Sequence, residues 1–144
     1  ARHLERAGEF GGLKSEPLHP RGTPHTPLRG RPGEHTTIGV VATNARLTKA
    51  QATRVAQAAH DGLARAIWPV HTMFDGDTVF VMATGEIPLP EEETPFGPAV
   101  AEPLSRLGST AADVLSRSIV RALLSAETAA GFSCYRDTYP HAFL

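Results

Sequence analysis

Hydrophobic positions in this chain fall into periodic runs only after residue 35. Thr36–Thr43, TTIGVVAT, is short, β-branched and apolar and is bounded by turn residues, which predicts a buried strand. Asn44-Ala45-Arg46 supplies a turn, and Thr48 an N-cap whose hydroxyl accepts a backbone N–H of the first helical turn. Over 49–67, Ala52, Val55, Ala59, Leu63 and Ala66 recur at spacings of three or four, a single apolar stripe on a helix. The alanine content of that stripe predicts close packing against a sheet. Gly62 weakens a helix interior by about 1 kcal/mol relative to Ala, so it predicts close approach by a neighbour. Pro69 ends the helix. Thr78–Thr84 alternates with period two, Val79, Val81 and Ala83 against Phe80, Met82 and Thr84, and reads as a second strand. Residues 85–98 read as a loop rich in Pro and Glu. Ser109 caps a second predicted helix over 110–127, with Ala112, Leu115, Ile119, Leu123 and Ala126 as its stripe. The last stretch, GFSCYRDTYPHAFL, reads as irregular structure with aromatic anchors.

Two strands and two helices in the order β-α-β-α predict an α/β fold. Two strands alone are marginal in water, and parallel pairing needs a crossover such as the 48–67 helix. Such a unit leaves sheet edges open and one sheet face uncovered. It is therefore expected to belong to a larger sheet completed by another chain or segment; a small independent α/β domain is the alternative.

Composition narrows the picture. At 144 residues, 41% hydrophobic and 20% charged, with formal net charge −1, the chain has the size and balance of one globular domain. No apolar run approaches the roughly 20 residues of a membrane-spanning helix, and there is no basic excess of the kind nucleic-acid binders carry. Neither a membrane nor a nucleic acid is an expected partner. A single cysteine, Cys134, excludes an internal disulfide framework and a multi-cysteine zinc site; no cofactor and no metal are expected. The cysteine usage, and a start at Ala1 without a signal-peptide pattern, fit a cytoplasmic location. The first 35 residues differ from the rest. Five prolines lie between Pro17 and Pro32, and the charge is +2 against −3 for 36–144. Residues 14–35 are expected to form an extended linker, with Phe10 and Leu13 able to dock. The chain thus divides at 35/36.

Three features carry candidate chemistry. Thr36 and Thr37 stand where the linker meets the first strand. Asp75 and Asp77 flank Gly76 just before the second strand, and His71 and Thr72 precede them in the same connection. Singly, each has an ordinary reading. Thr suits strand starts, Asp-Gly-Asp suits a turn, and His60 and His71 suit a helix surface and a loop. The ligand spacing of a calcium loop and of a zinc motif is absent.

Together, the run EHTTIGVVATNARLTKAQATRVAQAAHDGLARAIWPVHTMFDGDTVFVMATG resembles the DmpA-like family of self-processing aminopeptidases. That family includes L-aminopeptidase/D-esterases, β-peptidyl aminopeptidases and nylon-oligomer hydrolases. The resemblance extends from Phe10-Gly11-Gly12 to Tyr135-Arg136-Asp137 and matches the C-terminal part of the family's precursor. It implies an α/β/β/α four-layer sandwich in which the precursor cuts itself before a Ser or Thr. The pieces stay together as α and β subunits, and the new N-terminal residue is the nucleophile. By resemblance Thr36 is that nucleophile, His35-Thr36 is the cleavage site, and Asp75 and Asp77 are the accompanying acids. Residues 1–35 are then the end of an α-subunit region, and 36–144 the β-subunit region. The implied partners are the α portion of the same precursor, further αβ units in a homo-oligomer, and a peptide or amide substrate.

A Thr hydroxyl needs an adjacent base, and the α-amine freed by the cut, with a reference pKa of about 7.7–8.0, suits that task. The chain departs from the family where His35 replaces the expected Asn or Gly. The family's N-terminal portion also supplies oxyanion-stabilising and Lys/Asn groups, so this chain alone is expected to be nearly inactive. Two other readings stay open: an inactive fragment or non-catalytic assembly subunit, and an acyltransferase of the ornithine-acetyltransferase type, against which the string HTMFDGDTVF argues.

Overall fold

A computed structural model describes residues 4–11 and 35–143. The proline-rich stretch expected over 14–35, apart from His35, and Leu13 lie outside these residues. The chain is mixed α/β. Strand β1 (Ile38–Ala45) leads through helix α1 (Lys49–Ala66) to strand β2 (Thr78–Ile87), and β1 and β2 pair in parallel. A small hairpin, β3 (Glu93–Thr94) with β4 (Gly97–Pro98), precedes helix α2 (Ala101–Ser125). A one-turn helix α3 (Tyr135–Thr138) and a 3-10 turn (Pro140–Phe143) follow. The expected β-α-β-α order is present, and the C-terminal stretch is more helical than expected.

Helix α1 starts as its sequence predicts. The Thr48 hydroxyl accepts from Gln51 N–H at 3.3 Å, and the Gln51 side chain accepts from Thr48 N–H at 2.8 Å. This reciprocal cap satisfies two donors that a helix start otherwise leaves unpaired. Val55, Ala59 and Leu63 are fully buried. They form the core with Ala111 and Leu115 of α2, and Val41, Val79 and Val81 of the sheet pack against it. Gly62 is where the helices come closest: a Cβ there would stand 2.3 Å from the Ala112 carbonyl oxygen.

Helix α2 starts nine residues before its predicted first residue, at Ala101. Pro103 sits in the first turn, where its missing N–H leaves no intrahelical bond unmade. Gly108 is a second close approach, its absent Cβ falling 2.9 Å from the Ala58 Cβ. Ser109 is a mid-helix residue, and Val100 takes the N-cap position with no side-chain bond. The far end of the predicted stripe also fails: Leu123 is half exposed, and Ala126 lies past the last helical residue. The strands shift too. β1 begins two residues later than expected and continues into the predicted turn as far as Ala45, with a register irregularity between Thr43 and Ala45. β2 continues to Ile87, so it runs through Gly85, which has φ +79°.

The N-terminal segment docks on α2. Phe10 is buried, and Glu9 makes two bonds to Arg117, at 2.6 and 2.9 Å. The Arg117 side-chain bonds hold the Glu9 carboxyl below its ordinary pKa, and Glu9 raises that of Arg117.

The helices cover one face of the sheet. On the opposite face, Ile38, Val40, Phe80 and Met82 are 57–69% exposed. Among the described residues nothing covers them, as the β-α-β-α count predicted.

Candidate active site

Parallel strands begin at the same end. The residues ahead of β1 therefore meet the residues ahead of β2, although about 40 positions separate them. His35 and Asp75 form an isolated parallel bridge. His35 N–H donates to the Phe74 carbonyl at 3.3 Å, and Gly76 N–H donates to the His35 carbonyl at 3.0 Å. Thr78 N–H donates to the Thr37 carbonyl at 2.9 Å, continuing the pairing into the strands. Asp77 adds a side-chain clasp, its Oδ1 accepting from Thr37 N–H at 2.9 Å. The peptide bond between His35 and Thr36 is thus held by its carbonyl on one side and through Thr37 on the other. The Thr36 side chain is exposed.

The 71–77 connection is shaped by its own polar groups. Asp75 Oδ2 accepts from Thr72 N–H at 2.6 Å, Asp75 N–H returns to the Thr72 carbonyl at 3.1 Å, and Phe74 N–H donates to Thr72 Oγ1 at 3.3 Å. These local bonds are the turn that Asp and Thr favour. They leave Asp75 oriented by its own loop and Asp77 oriented by the β1 junction. The acids are therefore two residues apart in sequence but differ in what holds them.

The Asp77 side chain is only 6% exposed. Its Oδ2 lies 3.0 Å from His71 Nδ1, within ion-pair range. No N–H is aligned on that oxygen, however, so the contact is one of proximity rather than a directed hydrogen bond. An oxygen buried in this state costs about 1–3 kcal/mol. His71 has φ +56°, a conformation that costs a non-glycine residue about 1–3 kcal/mol. The His60 ring, on α1, stands 5.0 Å from the His71 ring at a 52° tilt.

All four predicted site residues, His35, Thr36, Asp75 and Asp77, therefore come to one end of the sheet. The His71 contact with Asp77 and its backing by His60 were not predicted. No periodicity links position 60 to 71, and a loop histidine reads as solvated until the last turns of α1 are placed beside it. Among the described residues no three His, Cys, Asp or Glu side chains are arranged to hold a metal ion, and no helix is long and apolar enough to cross a membrane.

The sequence profile of peptidase family S58 matches residues 3–136. This chain belongs to peptidase family S58. Its resemblance to DmpA-like enzymes is thereby borne out. An uncharacterised aminopeptidase of Mycobacterium bovis is 48% identical over 113 residues, 76% of this chain and 32% of the relative. One from Mycobacterium leprae is 46% identical over 113 residues, again 76% of this chain and 31% of the relative. A 6-aminohexanoate-oligomer endohydrolase of Paenarthrobacter ureafaciens is 32% identical over 88 residues, 61% of this chain and 25% of that enzyme. The chain thus spans about a third of the length of the mycobacterial relatives. The S58 profile runs across the junction at 35/36 and through the whole 71–77 connection.

Proposed function

We propose that this chain is the β-subunit-bearing part of an N-terminal-nucleophile aminopeptidase or amidohydrolase that cuts itself between His35 and Thr36. The observation that carries this reading is the juxtaposition of 35–37 with 75–77 at the head of the two parallel strands. In the first step Thr36 Oγ1 attacks the His35 carbonyl carbon. The C–O bond forms, the C–N bond breaks, and the hydroxyl proton passes to the nitrogen. Water then opens the ester, leaving a His35 carboxylate and a free Thr36 α-amine. Negative charge develops on the His35 carbonyl oxygen, and the Gly76 N–H directed at that oxygen from 3.0 Å is suited to stabilise it.

In turnover the α-amine takes the Thr36 hydroxyl proton as Oγ1 attacks a substrate amide. The substrate's amine leaves with that proton, and water hydrolyses the acyl ester. Asp77, through Thr37, and Asp75, through its loop, orient the nucleophile's backbone, as the third member of a triad does. The α portion of the precursor completes the site and covers the bare face carrying Ile38, Val40, Phe80 and Met82, giving the four-layer α/β/β/α sandwich. Such αβ units then associate as homo-oligomers. The names of the relatives, aminopeptidase and oligomer endohydrolase, support an amide or peptide substrate.

The test joins this chain to the α portion and follows hydrolysis of an amino-acid p-nitroanilide. Thr36→Ala is expected to lose roughly a thousandfold or more in rate, as removal of a nucleophile does. Parental activity in Thr36→Ala would overturn the reading. A second reading, a non-catalytic assembly subunit, is favoured by one residue, His35 in place of Asn or Gly. It predicts a chain that stays uncut beside its partner.

A further inference from the structure

Asp77 is the buried carboxylate that reaches the junction, and its two oxygens are held unequally. Oδ1 accepts the Thr37 N–H, whereas Oδ2 is buried without a directed hydrogen bond. A carboxylate fixed at one oxygen still turns about its Cβ–Cγ bond, and each turn displaces the oxygen on Thr37. The group standing against Oδ2 is His71 Nδ1, at 3.0 Å. His71 holds a left-handed backbone conformation there, with φ +56°. A residue with a β-carbon persists in such a conformation only where its surroundings over-determine it, and such strain concentrates at functional sites. The surroundings include α1: the His60 ring faces the His71 ring at 5.0 Å. His60 belongs to a helix capped at its start and closely packed against α2, so it is a rigid wall behind the His71 imidazole.

We propose that His71 is a positioning residue for the nucleophile. A small turn of the imidazole brings its Nδ1–H onto Asp77 Oδ2, 3.0 Å away, which locks the carboxylate and holds Oδ1 on the Thr37 amide beside Thr36; His60 bounds how far the ring can turn. The inference rests on the proposed function for its catalytic consequence, but the His71–Asp77 contact itself does not. The line of support runs from α1 through His60, His71 and Asp77 to the backbone that carries Thr36. Nδ1 is the imidazole nitrogen within reach of Oδ2, so it is the one that must carry the proton to serve it. Asparagine places an N–H two bonds from Cβ, as Nδ1 is placed, and it tolerates positive φ better than most residues. It is therefore the conservative replacement, whereas alanine and glycine both remove the donor and glycine alone relieves the backbone.

Two measurements test this. In the assembled enzyme, His71→Ala and His71→Gly should each lower kcat on an amino-acid p-nitroanilide about 10- to 100-fold, the scale of a small misplacement of reacting groups, with KM unchanged. His71→Asn should recover most of the loss, and thermal unfolding of each variant separates misfolding from mispositioning. In this chain by itself, long-range proton–nitrogen correlation of the imidazoles at about pH 8, above the reference imidazole range, should find the His71 proton on Nδ1, and lose that preference in Asp77→Ala. Equal kcat in His71→Ala and the parent, equal loss in His71→Asn and His71→Ala, or a His71 proton on Nε2 would each overturn the proposal. If Thr36→Ala retains activity, the nucleophile reading fails, and the imidazole measurement still decides whether His71 serves Asp77. If Thr36→Ala is inactive and His71→Ala is not, the positioning role alone fails.

Discussion

The two faces of the parallel β1–β2 pair are built to different standards. On the helix side, fully buried Val55, Ala59 and Leu63 meet Ala111 and Leu115, and glycine is needed at position 62 because no side chain fits beneath the Ala112 carbonyl. On the other side, Ile38, Val40, Phe80 and Met82 form an apolar face that is more than half exposed. Alternation within a strand makes both faces apolar only when both are meant to be covered. The finished side holds the unit together, and the bare side is where the proposed α portion belongs. The proposed chemistry lies at the rim between them, at the shared N-terminal end of the strands.

The contrast can be broken first on the finished side. Leu63→Ala should cost about 2–5 kcal/mol, the range for a truncated core leucine, measured by urea unfolding. Gly62→Ala sharpens the same point. In an isolated helix it would gain about 1 kcal/mol, yet here the added carbon meets backbone, and overpacking should make it destabilising by about 1–3 kcal/mol. A stabilised Gly62→Ala would mean that the helices are not this close.

A smaller effect is expected where the N-terminal segment docks on the outer layer. Arg117 holds the Glu9 carboxyl below its ordinary value of 4.5. A lowered carboxyl pKa contributes stability above the ordinary value and loses it as pH falls through the lower, folded value. The protection of the Phe10 amide, its exchange rate relative to the intrinsic rate at the same pH, should therefore fall on acidification below about pH 4.5, where the reference carboxyl protonates, and Glu9→Gln should weaken that dependence. Smallest of all on stability is the bare face. Met82→Ser should change unfolding of this chain by no more than about 0.5 kcal/mol, as for exposed positions generally, while weakening its assembly with the α portion. A large loss of stability in this chain alone would mean that the face is already covered.

Much of this architecture was legible in the sequence for identifiable reasons. The α1 stripe has a clean helical period, Thr48 reads as an N-cap, and Gly62 stands where its helix should have resisted it. The start of α2 was not legible, because Pro103 and Gly108 read as breakers. A first-turn proline and a close-packing glycine are compatible with a helix only once the neighbouring helix is in place. The bulge after Thr43 was hidden in the same way, since the chain spells a turn at 44–46 that the sheet overrides. Of the candidate site, Thr36, Asp75 and Asp77 were found through a family resemblance carried by long strings. Their meeting at one strand end follows from parallel pairing, which the β-α-β order implies. His71 was noted beside them, but it and His60 read as a loop and a helix-surface residue because their relation exists only in three dimensions.

The most direct test of the central claim is the intact mass of this chain after assembly with the α portion. A species that begins at Thr36 is expected, together with its absence in Thr36→Ala. A chain that stays joined at His35-Thr36 while the assembly hydrolyses amides at full rate would contradict it.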